Sequence, residues 1–315
     1  MAEVCVIGGT RFFGKLVVSR LIEEGHRVTL ITRGRTPDPF GDAVLRRTAD
    51  ADSAGELGRA IGTASFDAVV HQVCYRPVTA LAAAKAFTGH AGKLVVTSTM
   101  EVYNSDTFRH HRASPGFSTW AKEGELDPLA YGYDLGLPWD DPEFAGANYG
   151  EGKRQAESAL AQSAGFPLAF ARAAHVLSDR DEFTGRVEFL VERVLAGGRM
   201  TSFRDPGRTS LVHADDLARF LVWLALNDVT GPVNACSPDP VTLYEVLAPI
   251  EGAAGLAAVV EELDAAWGDP DLAPFSCPAD YGMSVDLAAA RGFAFTPARE
   301  WLRDMAVRAV AEARR

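Results

Sequence analysis

The stretch that decides the fold is Val4-Cys5-Val6-Ile7-Gly8-Gly9-Thr10-Arg11-Phe12-Phe13-Gly14. Its first four residues are apolar and are closed by two glycines, which predicts a buried strand that ends in a tight turn. The segment Arg11–Glu24 then carries apolar residues at helical spacing. We therefore expect a strand, a glycine turn and a helix in direct succession.

Short apolar strands alternate with longer helical segments through the first half of the chain. The pattern predicts further strands at His26–Thr32, Phe66–His71 and Lys93–Thr97, and a helix at Tyr149–Ser163. Repeated strand–helix units favour a parallel sheet with helices on both faces. The expected fold class is α/β, a doubly wound parallel sheet.

The alternation becomes less regular in the second half, which indicates a smaller second unit. We expect residues 1–171 to form the domain with the parallel sheet, and residues 208–235 to return to it. Residues 172–207 and 236–315 are expected to form mainly a C-terminal substrate domain.

The composition is that of an ordinary globular protein, with 47% hydrophobic and 23% charged residues among 315. The formal net charge of −11 repels phosphate backbones, so we expect no nucleic-acid partner. The four cysteines are scattered without the spacing of metal ligands, so no metal site is predicted. No signal segment or membrane-spanning run is visible, and we expect a cytoplasmic protein without membrane contact.

The glycine turn has the features of a dinucleotide-binding site. Small residues let the backbone approach a pyrophosphate, and the helix that follows offers N–H groups and the positive end of its dipole. A plain tight turn is the alternative. The residues predicted to bind the cofactor here are Gly8, Gly9, Thr10, Arg11, Phe12, Phe13 and Gly14.

The end of the second strand favours NADP(H) over NAD(H). NAD-binding versions of this fold place an acid there to bind the adenosine ribose. This strand ends in Thr32 and Arg33 without an acid. Because arginine suits a phosphate and a hydroxyl can add a hydrogen bond, Arg11, Thr32 and Arg33 are predicted to bind the 2′-phosphate. The alternative is that these arginines are solvated surface charges.

Tyr149 and Lys153 are four residues apart and share one face of the predicted helix. A phenol with its ordinary pKa of about 10 is a poor acid–base catalyst at neutral pH, and a nearby ammonium brings that pKa toward the working range. We therefore predict a catalytic pair. The aperiodic segment 104–148 precedes it, and we interpret this segment as part of a substrate pocket or a lid, with a disordered insertion as the alternative.

Two hydroxyl groups, those of Ser98 and Thr99, follow the predicted strand at Lys93–Thr97. Open α/β folds bind ligands at the carboxyl edge of the sheet, so either hydroxyl is a candidate to bind a substrate carbonyl or alcohol. Alternatively, both satisfy backbone groups at the strand end.

With these motifs in this order, the sequence resembles the extended short-chain dehydrogenase/reductase family, also called the NAD-dependent epimerase/dehydratase family, over most of the chain. The resemblance implies a Rossmann fold, a Thr99–Tyr149–Lys153 triad and a role for Lys153 in holding the cofactor ribose. It also implies substrate contacts for Arg208, which is similar to a substrate-phosphate arginine, and for His175, which stands near an asparagine of sugar-nucleotide epimerases. A homodimer is common in this family.

Arg11 and His175 depart from the family's pattern, and a histidine in place of the asparagine at position 175 weakens a nucleotide-sugar assignment. Arg11 stands where the family has the middle glycine of its turn, a form that looks like an atypical branch with the chloroplast stem-loop-binding proteins. Glu101 matches a Thr-x-Glu segment of the family's dehydratases and decarboxylases, in which the glutamate acts as a base. A cap or an ion pair at the strand end is the alternative for Glu101.

Three functions remain open from the sequence. The first is NADPH-dependent reduction, or the reverse, of a carbonyl on a small polar substrate, which Thr99 orients and Tyr149 protonates. The second is an epimerase or dehydratase with tightly bound NAD(P) and Glu101 as the base, for which a nucleotide sugar or a related sugar is the candidate substrate. The third is a non-catalytic cofactor-sensing or RNA-binding protein, against which the acidic charge and the complete Tyr149/Lys153 pair argue.

Overall fold

The computed structural model describes residues 1–108, 114, 116–264 and 268–315; residues 109–113 and 115 of the expected pocket or lid segment lie outside the described residues. The strands are β1 (Glu3–Ile7), β2 (Arg27–Thr32), β3 (Val44–Thr48), β4 (Ala68–His71), β5 (Leu94–Thr99), β6 (Trp120–Ala121), β7 (Leu168–Ala173), β8 (His175–Leu177), β9 (Arg199–Phe203), β10 (Leu211–His213), β11 (Gly231–Ala235), β12 (Val259–Leu263) and β13 (Gly282–Met283). The helices are α1 (Phe13–Glu23), α2 (Ala54–Ile61), α3 (Pro77–Phe87), α4 (Pro142–Ala147), α5 (Tyr149–Ser163), α6 (Arg186–Ala196), α7 (Ala214–Leu226), α8 (Leu243–Ala254), α9 (Asp286–Ala290) and α10 (Ala298–Ala313).

The main sheet has seven strands in the order β11-β7-β5-β4-β1-β2-β3, and each neighbouring pair is parallel. The chain runs outward from β1 to β3, returns to β4 beside β1, and continues outward on the other side. The predicted doubly wound parallel sheet is therefore confirmed. The reversal lies between β1 and β4, whose carboxyl ends form the crevice in which this fold binds ligands.

The sheet is buried on both faces, which explains the unbroken apolar sequence of β1. Val4 and Val6 belong to a core shared with α1 and α7, whereas Cys5 and Ile7 belong to a second core shared with α2, α3 and α5. Successive residues of a strand point to opposite faces of a sheet. A strand that is covered on both sides therefore shows no polar alternation.

The outermost strand, β3, is absent from the predicted pattern. Only Val44 of this strand is buried, and the four residues after it are exposed. Its backbone pairs with β2 alone, so it is an edge strand that exposes its side chains. Backbone pairing, rather than burial of its side chains, stabilises this strand. Its sequence therefore lacks the apolar pattern from which strands are predicted.

The second half of the chain contributes to two separate cores. Residues 208–235 supply α7, which packs against α1, and β11, which pairs with β7. Helices α6, α8 and α10 enclose another apolar core that includes Leu190, Leu247 and Leu302. The proposed division into a sheet domain and a substrate domain rests on these separate cores.

A buried ion pair fixes helix α5 to the sheet. Arg172 on β7 and Glu157 on α5 are almost fully buried and lie 2.6 Å apart. The hydroxyl of Tyr103 and two backbone carbonyls of the turn 123–126 accept the remaining guanidinium N–H groups. The Ser98 hydroxyl donates to the same carboxylate, so this polar network is fully hydrogen-bonded.

We expect Arg172→Met to lower the free energy of unfolding by about 3–5 kcal/mol, because it leaves the Glu157 carboxylate buried and uncompensated. Urea unfolding measures the change. The matched control is Arg204→Met, because Arg204 pairs with Asp264 at 3.0 Å but the two side chains are 63% and 92% exposed. The control should change the free energy by less than about 1 kcal/mol, and equal losses in both variants would contradict the assignment.

Candidate active site

The turn after β1 depends on glycine. Gly8 and Gly9 adopt φ angles of +94° and +90°, in the left-handed region. A Cβ atom on Gly14 would lie 2.3 Å from the Gln72 Oε1 atom and 3.0 Å from the Gly9 Cα atom. Helix α1 begins at Phe13 rather than Arg11, without a side-chain cap or an acidic residue in its first turn. The positive end of the α1 dipole therefore faces the crevice uncompensated.

A loop from the second half of the chain lies across this turn. Phe12 has a φ of +49°, which costs a non-glycine residue about 1–3 kcal/mol. Its ring packs edge-on against Phe183, with the ring centroids 5.7 Å apart. Lys15 and Asp181 form an ion pair at 2.6 Å beside it. The loop before α6 is thus fastened onto the glycine turn by an aromatic contact and an ion pair.

Two buried polar side chains at the end of β4 lack hydrogen-bond partners in the described part of the chain. The Nε2 atom of Gln72 and both ring nitrogens of His71 are without partners. Burial lowers the pKa of His71 to about 3, so its ring is neutral. An unpartnered buried donor costs about 1–3 kcal/mol. Gln72, which lies against Gly14, therefore fits a ligand that accepts a hydrogen bond in the crevice.

Two glycines allow helix α5, which carries Tyr149 and Lys153, to approach the sheet closely. A Cβ atom on Gly150 would lie 2.6 Å from the Glu101 carbonyl oxygen, and one on Gly152 would lie 2.7 Å from the Tyr75 carbonyl oxygen. Helix α5 can therefore approach the ends of β4 and β5 at backbone distance. This approach explains the glycines on both sides of Glu151 in the Tyr-Gly-Glu-Gly-Lys segment.

The structure brings Thr99, Tyr149 and Lys153 together at the carboxyl end of β5. The hydroxyl of Thr99 lies near that of Tyr149 and lowers its pKa. The Lys153 Nζ atom donates to the Thr97 carbonyl oxygen at 2.8 Å and lies 5.8 Å from the Tyr149 ring centroid. It also lies 4.3 Å from the ring centroid of Tyr75. Burial lowers the pKa of Lys153 to about 8.

The protonation of Tyr149 differs from the sequence-based expectation. Although 40% of this residue is exposed, desolvation of its hydroxyl, followed by the influence of Tyr75, holds its pKa above the ordinary value. The Thr99 hydroxyl and the positive charge of Arg186 act in the opposite direction. The sequence predicted that Lys153 would lower the pKa of Tyr149. It does not, because its ammonium group is turned toward Thr97 and Tyr75. Tyr149 is therefore a neutral phenol at neutral pH, the form that donates a proton.

Glu101 lies near enough to Tyr149 to raise the pKa of its hydroxyl, and the group of Thr99, Glu101, Tyr149 and Lys153 is called the pocket below. Its Oε2 atom accepts a hydrogen bond of 2.8 Å from the Asn104 side chain. Burial raises the pKa of Glu101, while Asn104 and Arg186 oppose this effect. The carboxyl group also acts electrostatically on Tyr149 and Tyr281. A carboxyl group whose pKa is raised by burial is a candidate for proton transfer.

Two residues that were predicted to bind the substrate contact other protein groups instead. The Ser98 hydroxyl belongs to the buried Arg172 network, and Arg208 pairs with Glu245 at 2.8 Å. These contacts do not support the substrate roles predicted for Ser98 and Arg208. The ring centroid of His175 lies 5.7 Å from that of Phe275, and burial lowers the pKa of His175 to about 3.

A shallow cavity of about 490 Å³ lies at the carboxyl ends of β2 and β3. Thr32 lines it, as predicted for the 2′-phosphate site. The arginines that line it are Arg35, Arg46 and Arg47, of which Arg46 is bonded to Asp38, whereas Arg11 and Arg33 lie outside the lining. Arg47 comes from the edge strand β3, which the sequence pattern missed, so nothing in the sequence indicated that this arginine lies beside Thr32.

Other side chains of the pocket were also missed. Tyr75 follows β4 at the carboxyl edge of the sheet. Because open α/β folds bind ligands at this edge, the argument that made Thr99 a candidate could also have identified Tyr75. Arg186 is the first residue of α6, and no signal in the sequence places it near Tyr149.

In the described ranges no group of three histidine, cysteine or acidic side chains is arranged to hold a metal ion. Within the same ranges no helix has the length and apolar character needed to cross a membrane.

Comparisons with known proteins agree with this geometry. The sequence profile of the NAD-dependent epimerase/dehydratase family matches residues 4–236. No curated protein sequence matches the chain significantly. Similar solved structures include the Bordetella bronchiseptica enzyme WbmH in complex with NAD+, with a TM-score of 0.71, 19% identity, and coverage of 100% of this chain and 98% of that chain.

Two epimerases share the same fold. The UDP-glucose 4-epimerase of Thermus thermophilus, in complex with NAD, has a TM-score of 0.69 and 21% identity, and the match covers 99% of both chains. The UDP-N-acetylglucosamine 4-epimerase of Bacillus cereus has a TM-score of 0.67 and 18% identity, and the match covers 100% of this chain and 97% of that chain.

We expect Gly14→Ala to weaken dinucleotide binding about tenfold, because the new methyl group displaces Gln72 and the backbone at Gly9. Calorimetric titration with NAD+ and NADP+ measures the change. Gly58→Ala is the matched control, since a Cβ atom there meets nothing within 4 Å. The control should bind like the unaltered protein and should be slightly more stable; equal binding by Gly14→Ala would contradict the assigned site.

Proposed function

Because the chain belongs to the NAD-dependent epimerase/dehydratase family and is thus a nicotinamide-dinucleotide-dependent enzyme, we propose that it is an epimerase or dehydratase of a nucleotide-linked sugar. The observation that carries this proposal is Glu101, a second acid–base group in the pocket of Tyr149. A simple carbonyl reductase needs only one proton donor. The two epimerases with the same fold act on UDP-sugars, which supports this substrate class.

The residues of the crevice fit a dinucleotide. The turn at Gly8 and Gly9 leaves the backbone open to a pyrophosphate, and Gln72 has an unpartnered buried donor beside it. Lys153 is the group that would hold the ribose next to the nicotinamide. When bound, the cofactor takes up a hydride from the substrate carbon and later returns it. The loop fastened over Phe12 supports retention of the cofactor through such a cycle.

The protein side chains then move the protons. Tyr149 takes the proton of the substrate hydroxyl as its carbon becomes a carbonyl, and it does so as the phenolate. Burial disfavours the phenolate in the protein alone, and the positive charge of a bound oxidised nicotinamide would favour it. Thr99 holds the same substrate oxygen. Glu101 removes a proton from the carbon next to that carbonyl, where the carbonyl makes the proton acidic. Loss of a neighbouring hydroxyl as water gives dehydration, and return of the proton to the other face gives epimerisation. In dehydration the hydroxyl leaves as water with the proton that Glu101 took. In both reactions Tyr149 returns its proton to the substrate, so the side chains end in the state in which they began, and a bound cofactor would take up and return the hydride.

The reductase that the sequence favoured becomes the second candidate. It is supported by the cavity at the end of β2, where Thr32, Arg35 and Arg47 suit the 2′-phosphate of NADP(H). The acidic residue of this cavity, Asp38, is neutralised because both its oxygens bind Arg46. We therefore propose NADP(H) as the preferred cofactor, although the family name and the solved relatives specify NAD.

The non-catalytic alternative is not retained, because the chain belongs to a family of enzymes. A homodimer and a cytoplasmic location remain predictions.

Turnover of UDP-glucose and UDP-N-acetylglucosamine tests the main proposal. We expect a changed sugar without net consumption of cofactor. Tyr149→Phe should lower the rate about 10²–10⁴-fold and leave cofactor affinity unchanged, because it removes only the proton donor. Glu101→Gln should still allow reversible reduction of the cofactor but should form no product. Sugar NMR and the absorbance of the reduced nicotinamide measure the two steps.

Glu143→Gln is the control for Glu101→Gln, because Glu143 is an exposed carboxylate on α4. It should behave like the unaltered enzyme. Full product formation by Glu101→Gln would contradict the proposed cycle. Stoichiometric loss of NADPH with a carbonyl substrate would favour the reductase instead.

The cofactor preference has its own test. Arg35→Ala combined with Arg47→Ala should weaken NADP+ binding about tenfold or more, because each arginine can give a charge-assisted hydrogen bond to the phosphate. NAD+ binding should not change. Arg59→Ala, on the exposed face of α2, is the control. Tighter binding of NAD+ than of NADP+ by the unaltered protein would overturn the preference.

A further inference from the structure

The ammonium group of Lys153 is buried without a carboxylate partner. Its side chain is 2% exposed, and no described carboxylate lies within ion-pair distance. Its hydrogen bond is to the Thr97 carbonyl oxygen. Removing an ammonium from water costs several kcal/mol unless nearby groups compensate. A single hydrogen bond to a carbonyl offsets little of this desolvation cost. Other neighbours of the ammonium group must therefore stabilise its charge.

The closest aromatic face belongs to Tyr75. The Lys153 Nζ atom lies 4.3 Å from the centroid of this ring, against 5.8 Å from that of Tyr149. A cation within about 6 Å of a ring centroid is attracted by the ring, and the attraction increases when the cation is desolvated. The Tyr75 backbone is held in place because Gly152 lets α5 rest against its carbonyl oxygen. The segment that carries Lys153 therefore also fixes the ring that faces it.

We propose that Tyr75 is a positioning residue whose ring holds the charged Lys153 ammonium at the carboxyl end of β5 through a cation–π contact. The inference rests on the proposed role of Lys153 in binding the cofactor ribose. An ammonium group has three N–H donors, and the Thr97 carbonyl uses one. A carboxylate would take the others, whereas an aromatic face stabilises the charge without forming a directed bond. The remaining donors thus stay available to hydroxyl groups of a ligand.

The other titratable groups around Lys153 do not replace the ring. His71 on β4 is neutral, and burial raises the pKa of the Cys74 thiol. Glu157 on α5 is already bonded to Arg172. Tyr149 on α5 is a neutral phenol whose ring is the more distant one. Among these neighbours, Tyr75 is the group best placed to stabilise the charge.

The test is to titrate Lys153 by NMR with lysine labelled at Cε and Nζ. The chain has only five lysines, so the signals can be assigned by single substitutions. A series of proteins carries tyrosine, phenylalanine, or phenylalanine with an increasing number of fluorine atoms at position 75. Each added fluorine weakens the cation–π contact, while the size and apolarity of the ring stay nearly constant. Because the ring stabilises the charged form, weakening it should lower the pKa of Lys153. We expect Tyr75→Phe to change little and the most fluorinated ring to lower this pKa by about one unit.

Lys93 is the internal control. Burial lowers its pKa to about 8 as well, but its ammonium binds the backbone carbonyls of Leu224 and Asn227. Its titration should stay constant across the series, which also reports that each variant is folded. A constant or rising pKa of Lys153 along the series would overturn the proposal.

A binding measurement on the same proteins tests the functional consequence. The fluorinated variants should bind the dinucleotide progressively more weakly as the ammonium loses its charge near pH 8. Unchanged binding along the series would overturn the positioning role. Both measurements are independent of turnover, so a failure to convert any sugar would count against the proposed function and leave this inference standing.

Discussion

The close approach of helix α5 to the ends of β4 and β5 is the constraint on which the site depends. Gly150 and Gly152 make it possible, since a Cβ atom at either position would collide with a backbone carbonyl. The buried pair of Arg172 and Glu157 holds the helix there from the other side. Tyr149 begins this helix and Lys153 follows one turn later. A larger separation between helix and sheet would move both away from Thr99.

The protein stabilises its buried cations in two different ways. Arg172 is matched by a carboxylate and by acceptors for all its donors, which suits a structural role. Lys153 has a carbonyl and an aromatic face, an arrangement that leaves hydrogen-bonding capacity unused. The fully bonded Arg172 is thus suited to hold the fold together, whereas Lys153 keeps N–H donors with which it can bind a ligand.

Acid–base chemistry in the pocket follows from burial. Tyr149 and Glu101 both have raised pKa values, and burial is the largest cause in each case. The protein part of the site therefore favours the protonated forms of both groups. Arg186 opposes this effect on both, although it lies far from them in the sequence. A pocket with two such groups suits a reaction that moves two protons.

The sequence by itself determined the alternation of strands and helices in the first half, apart from the edge strand β3, together with the glycine turn and the spacing of Tyr149 and Lys153 on one helix; Thr99 joined this pair through the family resemblance. These features are local: apolar runs, tight turns and spacing along one helix are properties of neighbouring residues. Only the tertiary structure decided that Ser98 and Arg208 bind other protein groups, that Arg35 and Arg47 line the cavity, and that Lys153 faces Tyr75. Each of these depends on contacts between distant segments, and on an edge strand that forms through backbone pairing. The direction of a long side chain follows from the charges and surfaces that folding places around it, and residue spacing does not contain that information.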